Sequence, residues 1–563
     1  MRQHLRSAIF AKTFRTILCA TAVAVGAAVS AQSPTITGLT YLVSQSNATS
    51  AGGLSQRPAI SWDGGLVAFE SFATDLVPGD TNQHGDIFVR TEATGLVERV
   101  SLADGGGEAN GYSLSPTISG NGRFVAFVSF ATNLVPNDLN GQPDVFLRDR
   151  LLGTTRLVSV STSGAPSNGF VTQPTISFDG RFVVFVSAAT NFDPTDANVY
   201  ADVYVHDCQN GITELCSLSS TGAVGNGESQ YPTISWDGRI VAFMSAASNL
   251  VAGDTNGHTD IFVRDRLLGT TSRASVSATG GNADSFSHFC SLSVDGSVIA
   301  FASQASNIVA GDTNGALDVF VRNLITGVTK RVSEATNNSP ANGPSAFPSL
   351  SADGRYVVFE SAATNLVVGD TNGFDDVFLH DCVIGTTRRV SVDSNEVQGN
   401  GASYDAAISA DGLKVTFTSA ATNLAVLDGN GVRDVFLRDR GNWQNLGGAT
   451  PGAYGLPSLE ASGILVANSN GNILLSNVQP LHPTILAVAF QSVPTSILGT
   501  VFLAFPPNII LIDLSDAFGQ SDLSYTWPGG IAPGQSIFLQ YAVFDPTVAA
   551  QYVVSNAVQG LTH

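Results

Sequence analysis

The chain repeats itself seven times at a spacing of 58 residues, without an insertion or deletion between copies. A Ser-x-x-Gly turn begins at Ser61, Ser119, Ser177, Ser235, Ser293, Ser351 and Ser409. An Asp-x-Asn triplet begins at Asp80, Asp138, Asp196, Asp254, Asp312, Asp370 and Asp428. A constant period over seven copies predicts that one supersecondary unit is stacked seven times.

One unit can be divided into four short strands, predicted at Tyr231–Ser235, Arg239–Ser245, Asp260–Asp265 and Ser272–Ser277. The second strand is apolar at nearly every position, and a strand of this kind must be covered on both faces. Each connection is short and carries turn-forming residues. The unit is therefore predicted to be a four-stranded antiparallel meander.

The ends of the repeat predict a closed ring rather than an open solenoid. The last copy stops after its third strand, at Asp434–Arg440, while Leu39–Ser44 has fourth-strand character and precedes the first copy. A strand donated from the opposite end would leave no sheet edge unpaired. We expect an all-β protein in which residues 36–441 form a seven-bladed β-propeller of four-stranded blades.

The motif "PTISWDGRIVAFMS…DIFVRDRLLGTTSRASVS" in residues 232–277 resembles the TolB-type (WD-like) propeller repeat. The resemblance covers about 400 residues. It departs from the family in two ways, because TolB-type rings commonly have six blades and the loop before the third strand is longer here. The family includes envelope scaffold proteins and propellers attached to peptidases. The resemblance thus implies the fold and leaves the ligand open.

The two ends of the chain differ from the repeat. Residues 1–31 have a basic start, an apolar stretch and a small-residue cleavage site, which predicts a signal peptide and a secreted protein of the periplasm, cell surface or exterior. No later apolar run is long enough for a membrane span in the mature chain. Residues 442–563 are predicted to form a small β-sandwich, which resembles a terminal module of secreted bacterial proteins.

The charge of the chain limits the classes of binding partner, and its cysteines raise the question of disulfide bonds. The chain has 46 acidic and 26 basic residues, so nucleic acid is excluded as a partner and cations or basic surfaces are favoured. The cysteines of the mature chain are Cys208, Cys216, Cys290 and Cys382. Buried free thiols are the favoured interpretation. A Cys208–Cys216 disulfide stays open, because sequence rarely fixes connectivity.

The loop that begins with Asp-x-Asn is the most distinctive polar feature, and it supplies two carboxylates and one amide in every copy. Oxygen ligands at alternate positions next to a glycine are typical of calcium loops, although one loop offers fewer than the six to eight oxygens required. The same residues form a turn without any metal. The candidate residues are Asp80, Asn82, Asp86, Asp138, Asn140, Asp144, Asp196, Asn198, Asp202, Asp254, Asn256, Asp260, Asp312, Asn314, Asp318, Asp370, Asn372, Asp376, Asp428, Asn430 and Asp434.

Function is predicted to be non-catalytic. No nucleophile elbow, zinc-protease motif or phosphate loop is found in the sequence. His206 and His380 stand where other copies have arginine and are interpreted as substitutions. We expect a binding or scaffold protein that uses the acidic loop face for a protein, glycan or cation. The alternatives are a hydrolase or lyase acting on an extracellular polymer, and a purely structural envelope protein.

Overall fold

The computed structural model describes residues 38–46, 49–136 and 138–440, with only the backbone of Ser46 and Thr49, and beyond them only the strands between Trp443 and Leu561. The predicted signal peptide lies outside the described residues. Every regular element in the described part is a β-strand, and none of it is a helix that could cross a bilayer. The chain begins with β1 (Leu39–Leu42), β2 (Gln45–Ser46) and β3 (Thr49–Ser50).

Six blades follow, each an antiparallel sheet of four consecutive strands. Blade 1 has β4 (Ser55–Ile60), β5 (Leu66–Ser71), β6 (Asp86–Thr91) and β7 (Val97–Arg99). Blade 2 has β8 (Ser113–Ile118), β9 (Phe124–Ser129), β10 (Asp144–Asp149) and β11 (Thr154–Leu157). Blade 3 has β12 (Val171–Ile176), β13 (Phe182–Ser187), β14 (Asp202–Asp207) and β15 (Ile212–Leu215).

The other blades repeat this plan. Blade 4 has β16 (Ser229–Ile234), β17 (Ile240–Ser245), β18 (Asp260–Asp265) and β19 (Thr270–Arg273). Blade 5 has β20 (Ser287–Leu292), β21 (Val298–Ser303), β22 (Asp318–Asn323) and β23 (Thr329–Arg331). Blade 6 has β24 (Ser345–Leu350), β25 (Tyr356–Ser361), β26 (Asp376–Asp381) and β27 (Thr386–Arg389).

Blade 7 confirms the predicted ring closure. It has β28 (Ser403–Ile408), β29 (Lys414–Ser419) and β30 (Asp434–Asp439), and its fourth strand is β1. In the β1–β30 register Leu39 pairs with Asp439 and Leu42 pairs with Phe436. The Ser44 hydroxyl donates to Asp434 Oδ1 at 2.6 Å. The ring is thus joined by residues nearly 400 positions apart.

The hydrophobic core is divided among the junctions between neighbouring blades. In the cluster between blades 3 and 4, Val184 and Val203 of one sheet pack against Phe243 and Phe262 of the next. Equivalent clusters fill the other junctions, including that between blade 7 and blade 1. This explains why the second and third strands are apolar on both faces, since each sheet packs against a neighbour on either side.

A ring of main-chain hydrogen bonds runs from blade to blade through the turns between first and second strands. Trp236 N donates to Val294 O, Val294 N to Ala352 O, and Ala352 N to Ala410 O. Ala410 N donates to Trp62 O, which joins blade 7 to blade 1, and blade 2 takes part through Gly120 O and Asn121 N. These turns surround one end of the central channel.

One sequence prediction differs in detail from the structure, and the favoured interpretation of the cysteines as free thiols is confirmed. The fourth strand of blade 4 spans Thr270–Arg273, so it begins two residues and ends four residues earlier than predicted, because the Ser275 side chain takes over the bonding beyond it. Ser275 Oγ donates to Asp260 Oδ1 and accepts from Ile261 N, while the chain leaves the sheet. All four described cysteines are free, and burial raises the pKa of Cys216 to about 12.

Eleven further strands follow the propeller: β31 (Trp443–Gly447), β32 (Ser458–Gly463), β33 (Asn470–Ser476), β34 (Pro483–Ala489), β35 (Thr495–Ile497), β36 (Thr500–Phe502), β37 (Ile509–Leu514), β38 (Ser521–Thr526), β39 (Ser536–Phe544), β40 (Tyr552–Val554) and β41 (Ala557–Leu561). One sheet has the order β31-β41-β39-β34-β37, with β40 on β39, and another has the order β32-β33-β38. The predicted sandwich falls on residues whose side chains lie outside the described ones, and it stays a prediction.

Candidate binding site in the central channel

The Asn of each Asp-x-Asn loop uses all its polar atoms within the protein. In blade 4, Asn256 Nδ2 donates to Asp260 Oδ2 at 2.8 Å and to Ala283 O, which belongs to the connector to the next blade. Asn256 Oδ1 accepts from His258 N. The same three contacts occur in the other six blades. The amide therefore shapes the loop and fastens it to the connector.

The second aspartate of each loop is fully buried and also saturated. Asp260 Oδ1 accepts from Ser275 at 2.6 Å while its other oxygen accepts from Asn256. A serine plays the same role in each of the other blades, at 2.5–2.6 Å. These carboxylates serve as hydrogen-bond acceptors inside the blade.

The first aspartate of each loop divides the blades into two groups. In blades 1, 4, 5 and 6 an arginine from the fourth strand pairs with it, at 2.9–3.1 Å, through Arg99, Arg273, Arg331 and Arg389. In blades 2, 3 and 7 the equivalent register positions hold Leu157, Leu215 and Leu42. Asp138 of blade 2 is only 2% exposed, and within the described residues no cationic side chain pairs with it.

Burial raises the pKa of the second aspartate whether or not an arginine is nearby. The pKa is about 6 for Asp144, Asp202 and Asp434, in the three blades that carry leucine, and also for Asp318 in blade 5, where Arg331 is present. Among the residues described here, no group of three or more His, Cys, Asp or Glu could hold a metal ion. The calcium hypothesis for the 21 loop residues stays a prediction.

His206 and His380 behave as the sequence predicts, as replacements for arginine on the third strand. His206 Nδ1 lies 2.8 Å from Thr213 Oγ1, and His380 Nδ1 lies 2.9 Å from Thr387 Oγ1. Arg148 and Arg264 contact the equivalent threonines in their own blades. Burial lowers the pKa of both histidines to about 4, so they are neutral members of a packing network.

The innermost strand of each blade carries a bulge that turns side chains into the central channel. Its register shifts in the middle, and one residue there has a positive φ between 46° and 54°. The seven residues, here called the channel tier, are Arg57, Ser115, Gln173, Tyr231, Phe289, Phe347 and Asp405. None is glycine, although a left-handed backbone costs other residues about 1 kcal/mol or more.

The channel tier lines a cavity of about 360 Å³ that receives residues from all seven blades. This volume lies within the range of small-ligand sites, roughly 300–1,000 Å³. Pro58 and its equivalents in four other blades complete the wall. Because every blade contributes, the cavity lies on the axis of the ring.

One half of the channel tier is aromatic. Tyr231, Phe289 and Phe347 come from consecutive blades, and their rings form a continuous row. The Tyr231 and Phe289 rings meet edge to face at 4.8 Å, and the Phe289 and Phe347 centroids are 3.9 Å apart. Phe347 keeps 45% of its surface exposed. Such a row offers an apolar wall to whatever enters the cavity.

The other half is polar and is supported by two carboxyl groups behind it. Arg57 Nη1 lies 3.3 Å from Glu70 Oε2, and the same oxygen accepts from Ser115 N. On the other side, Glu360 Oε1 accepts from Asp405 N at 2.7 Å. Desolvation raises the pKa of Glu360 to about 8, with Asp405 and Asp375 adding repulsion. Glu360 is therefore mostly protonated at neutral pH.

Sequence reasoning missed the channel tier altogether. Its signal was present, because the tier stands at the same 58-residue spacing as the loops, yet six different residue types occupy its seven positions. The loop triplet, by contrast, keeps Asp and Asn in all seven copies. A position that varies inside an otherwise constant repeat indicates a role beyond holding the fold.

Comparison with known proteins finds only distant similarity to solved structures. No protein-family model and no curated protein matches the chain. A solved TolB structure from Agrobacterium tumefaciens is 18% identical, over 50% of this chain and 80% of its own, with a TM-score of 0.32. An oligogalacturonate lyase in complex with manganese is 13% identical, over 73% and 98%, with a TM-score of 0.43. A prolyl endopeptidase structure is 12% identical, over 77% and 55%, with a TM-score of 0.41.

The protein's own strand order defines its class. Seven sheets of four antiparallel strands, closed by β1, make it a seven-bladed β-propeller. Its central channel has a wall that is aromatic on one side and polar on the other.

Proposed function

We propose that the protein is an exported, non-catalytic binding protein whose ligand occupies the central channel. The observation that carries the proposal is the contrast between constant loops and a varied channel tier. Side chains are kept at seven positions where the backbone favours glycine. Backbone strain of this kind is concentrated at functional sites, where the side chain is needed for binding or catalysis.

The proposal moves the expected site away from the acidic loop face. The Asn and second Asp of each loop already have protein partners for their polar atoms. Four of the first aspartates are paired with arginine as well. A ligand on that face would have to displace contacts that hold the blades, whereas the channel residues project into open space.

The carboxyl groups of the channel favour binding over catalysis. Glu70 is held by Arg57, by Gln56 Nε2 and by Ser115 N. Glu360 accepts from the amide of Asp405. Both groups thus stabilise strained bulges, while a pair of catalytic carboxylates must be free to exchange protons with a substrate.

One observation favours the second candidate, a hydrolase or lyase. Glu360 lines the cavity beside Asp405, and its pKa is raised to about 8. A carboxylic acid that is protonated at neutral pH can act as a general acid. This candidate predicts turnover that disappears in Glu360→Gln.

Native mass spectrometry of the full chain tests both candidates. The protein is incubated with the low-molecular-mass fraction of a cell-wall digest and of culture medium. Binding in the channel predicts an adduct that is lost in Phe347→Ala and kept in Phe374→Ala, which alters an exposed loop phenylalanine of the same blade. An adduct that persists in Phe347→Ala overturns the channel proposal, and accumulating product that needs Glu360 replaces binding with catalysis.

A further inference from the structure

We infer that the central channel recognises a neutral sugar ring, with the aromatic wall against one face of the ring and the polar half against its hydroxyl groups. This inference rests on the proposed function and names its ligand class. The evidence is the division of the channel tier into two halves by chemistry.

The aromatic half suits the apolar face of a pyranose. A pyranose ring presents several C–H groups on one face and hydroxyl groups around its edge. Tyr231, Phe289 and Phe347 supply a row of aromatic rings on consecutive blades, and Phe347 is the most exposed of them. Aromatic surfaces bury C–H groups without requiring a charge on the ligand.

The polar half suits hydroxyl groups, which both donate and accept. Asp405 offers carboxylate acceptors, Arg57 offers donors, and Gln173 and Ser115 can offer both. These four residues face the aromatic row across the cavity. A pocket with an apolar wall and a few placed polar groups is the usual design of a small-ligand site.

The charges of the cavity disfavour an ionic ligand of either sign. Arg57 is already paired with Glu70 but remains 48% exposed in its side chain, so it repels a cation. Asp405 in the adjacent blade is exposed and repels an anion such as a uronate. Because Arg57 and Asp405 carry opposite charges in adjacent blades, their effects on a singly charged ligand oppose each other, and neither sign of charge gains a net attraction.

The main-chain amides of the bulges argue against a peptide that adds as an extra strand. Ser115 N donates to Glu70, and Asp405 N donates to Glu360. Arg57 N donates to Thr418 Oγ1 and Tyr231 N donates to Gln173 Oε1. Strand addition depends on free main-chain donors and acceptors, and four of the seven bulge amides are already used.

Calorimetric titration of the full chain tests the inference. The probes are the neutral trisaccharides of glucose, mannose, xylose and N-acetylglucosamine in their common linkages. Trigalacturonate, choline and a phenylalanine-containing tripeptide serve as anionic, cationic and peptide comparisons. We expect at least one neutral trisaccharide to bind, with a Kd that rises about tenfold in Phe347→Ala and in Asp405→Asn. Phe374→Ala, the matched control, leaves the Kd unchanged.

The outcomes distinguish failure of the sugar inference from failure of the channel proposal. If only a charged probe or the tripeptide binds, and Phe347→Ala weakens it, the sugar inference is wrong and the channel proposal stands. If a trisaccharide binds equally well to Phe347→Ala and Phe374→Ala, both are wrong. Absence of binding by every neutral trisaccharide also overturns the sugar inference.

Discussion

The loops between the second and third strands and the bulges of the first strands repeat with the same period. They differ in which feature is kept from copy to copy, the side chain or the backbone conformation. The loops keep Asp and Asn in all seven copies, and their side chains are bonded inside the blade. The bulges keep an unusual backbone in all seven copies and change the side chain almost every time. The constant residues of this protein hold the ring, and the varied residues are those to which the proposed function assigns ligand binding.

The first prediction tests the stabilising role of the loops at the buried ion pair of blade 4. Arg273→Leu creates the arrangement found in blade 2 and leaves Asp254 and Asp260 without their cation. We expect unfolding to become easier by about 3–5 kcal/mol, because the partners of a buried pair are left uncompensated. Denaturant unfolding followed by tryptophan fluorescence measures it. Arg239→Leu, which removes a more exposed pair with Asp265 in the same blade, should change the stability far less, because solvent screens that pair.

The second prediction concerns Glu360, the buried carboxyl of the channel wall. Its pKa is raised in the folded state, so its contribution to stability is complete below the ordinary pKa of about 4.5 and is lost as the pH rises through about 8. Glu360→Gln keeps an acceptor for Asp405 N and cannot ionise. We expect the variant to exceed the unmodified protein by roughly 2–4 kcal/mol at pH 9 and to show little advantage at pH 5.

Thermal melting across this pH range is the measurement for Glu360. The exposed Glu228→Gln provides the control, because Glu228 lies on the surface of blade 4. Parallel melting curves for Glu360→Gln and Glu228→Gln at every pH would show that Glu360 ionises normally.

The third prediction tests the difference between the blades that have arginine and those that have leucine on the fourth strand, beside the Asp-x-Asn loop. Leu157→Arg brings a cation next to Asp138 and Asp144, whose pKa values are raised by burial. We expect a gain of about 1 kcal/mol at pH 8, where Asp144, whose pKa is about 6, is ionised, and a smaller gain at pH 5, where Asp144 is mostly protonated. Leu151→Arg, in an exposed turn of the same blade, should leave stability unchanged at both pH values. A loss at pH 8 would mean that the arginine cannot reach the carboxylates.

The smallest expected change in stability is in the channel tier. Phe347→Gly removes the side chain at a residue with φ +50° and relieves the left-handed strain, while the more flexible glycine offsets that gain. We expect ligand binding to be lost while the free energy of unfolding changes by no more than about 1 kcal/mol. The shift in melting temperature measures that change. A large destabilisation would show that the aromatic row supports the fold rather than a ligand.

The propeller could be predicted from the sequence because its information lies in spacing. A fixed 58-residue period, a missing last strand and an extra first strand determine a closed ring. The site could not be predicted in the same way. Whether Asn256 binds a metal or fastens a connector depends on Ala283, which only the folded chain brings to it. The channel tier escaped notice because its seven members share a backbone conformation and no side-chain chemistry.

Ring closure by β1 has a consequence for biosynthesis. Thr40 donates to Val392 O, and Arg438 contacts Thr40, so β1 is synthesised long before the last blade, whose sheet it completes. Contacts over such a separation form late, because loop closure must be completed first. We expect nascent chains that end before Asp434 to remain protease-sensitive, and pulse proteolysis of ribosome-bound chains of increasing length would reveal the step at which the ring closes.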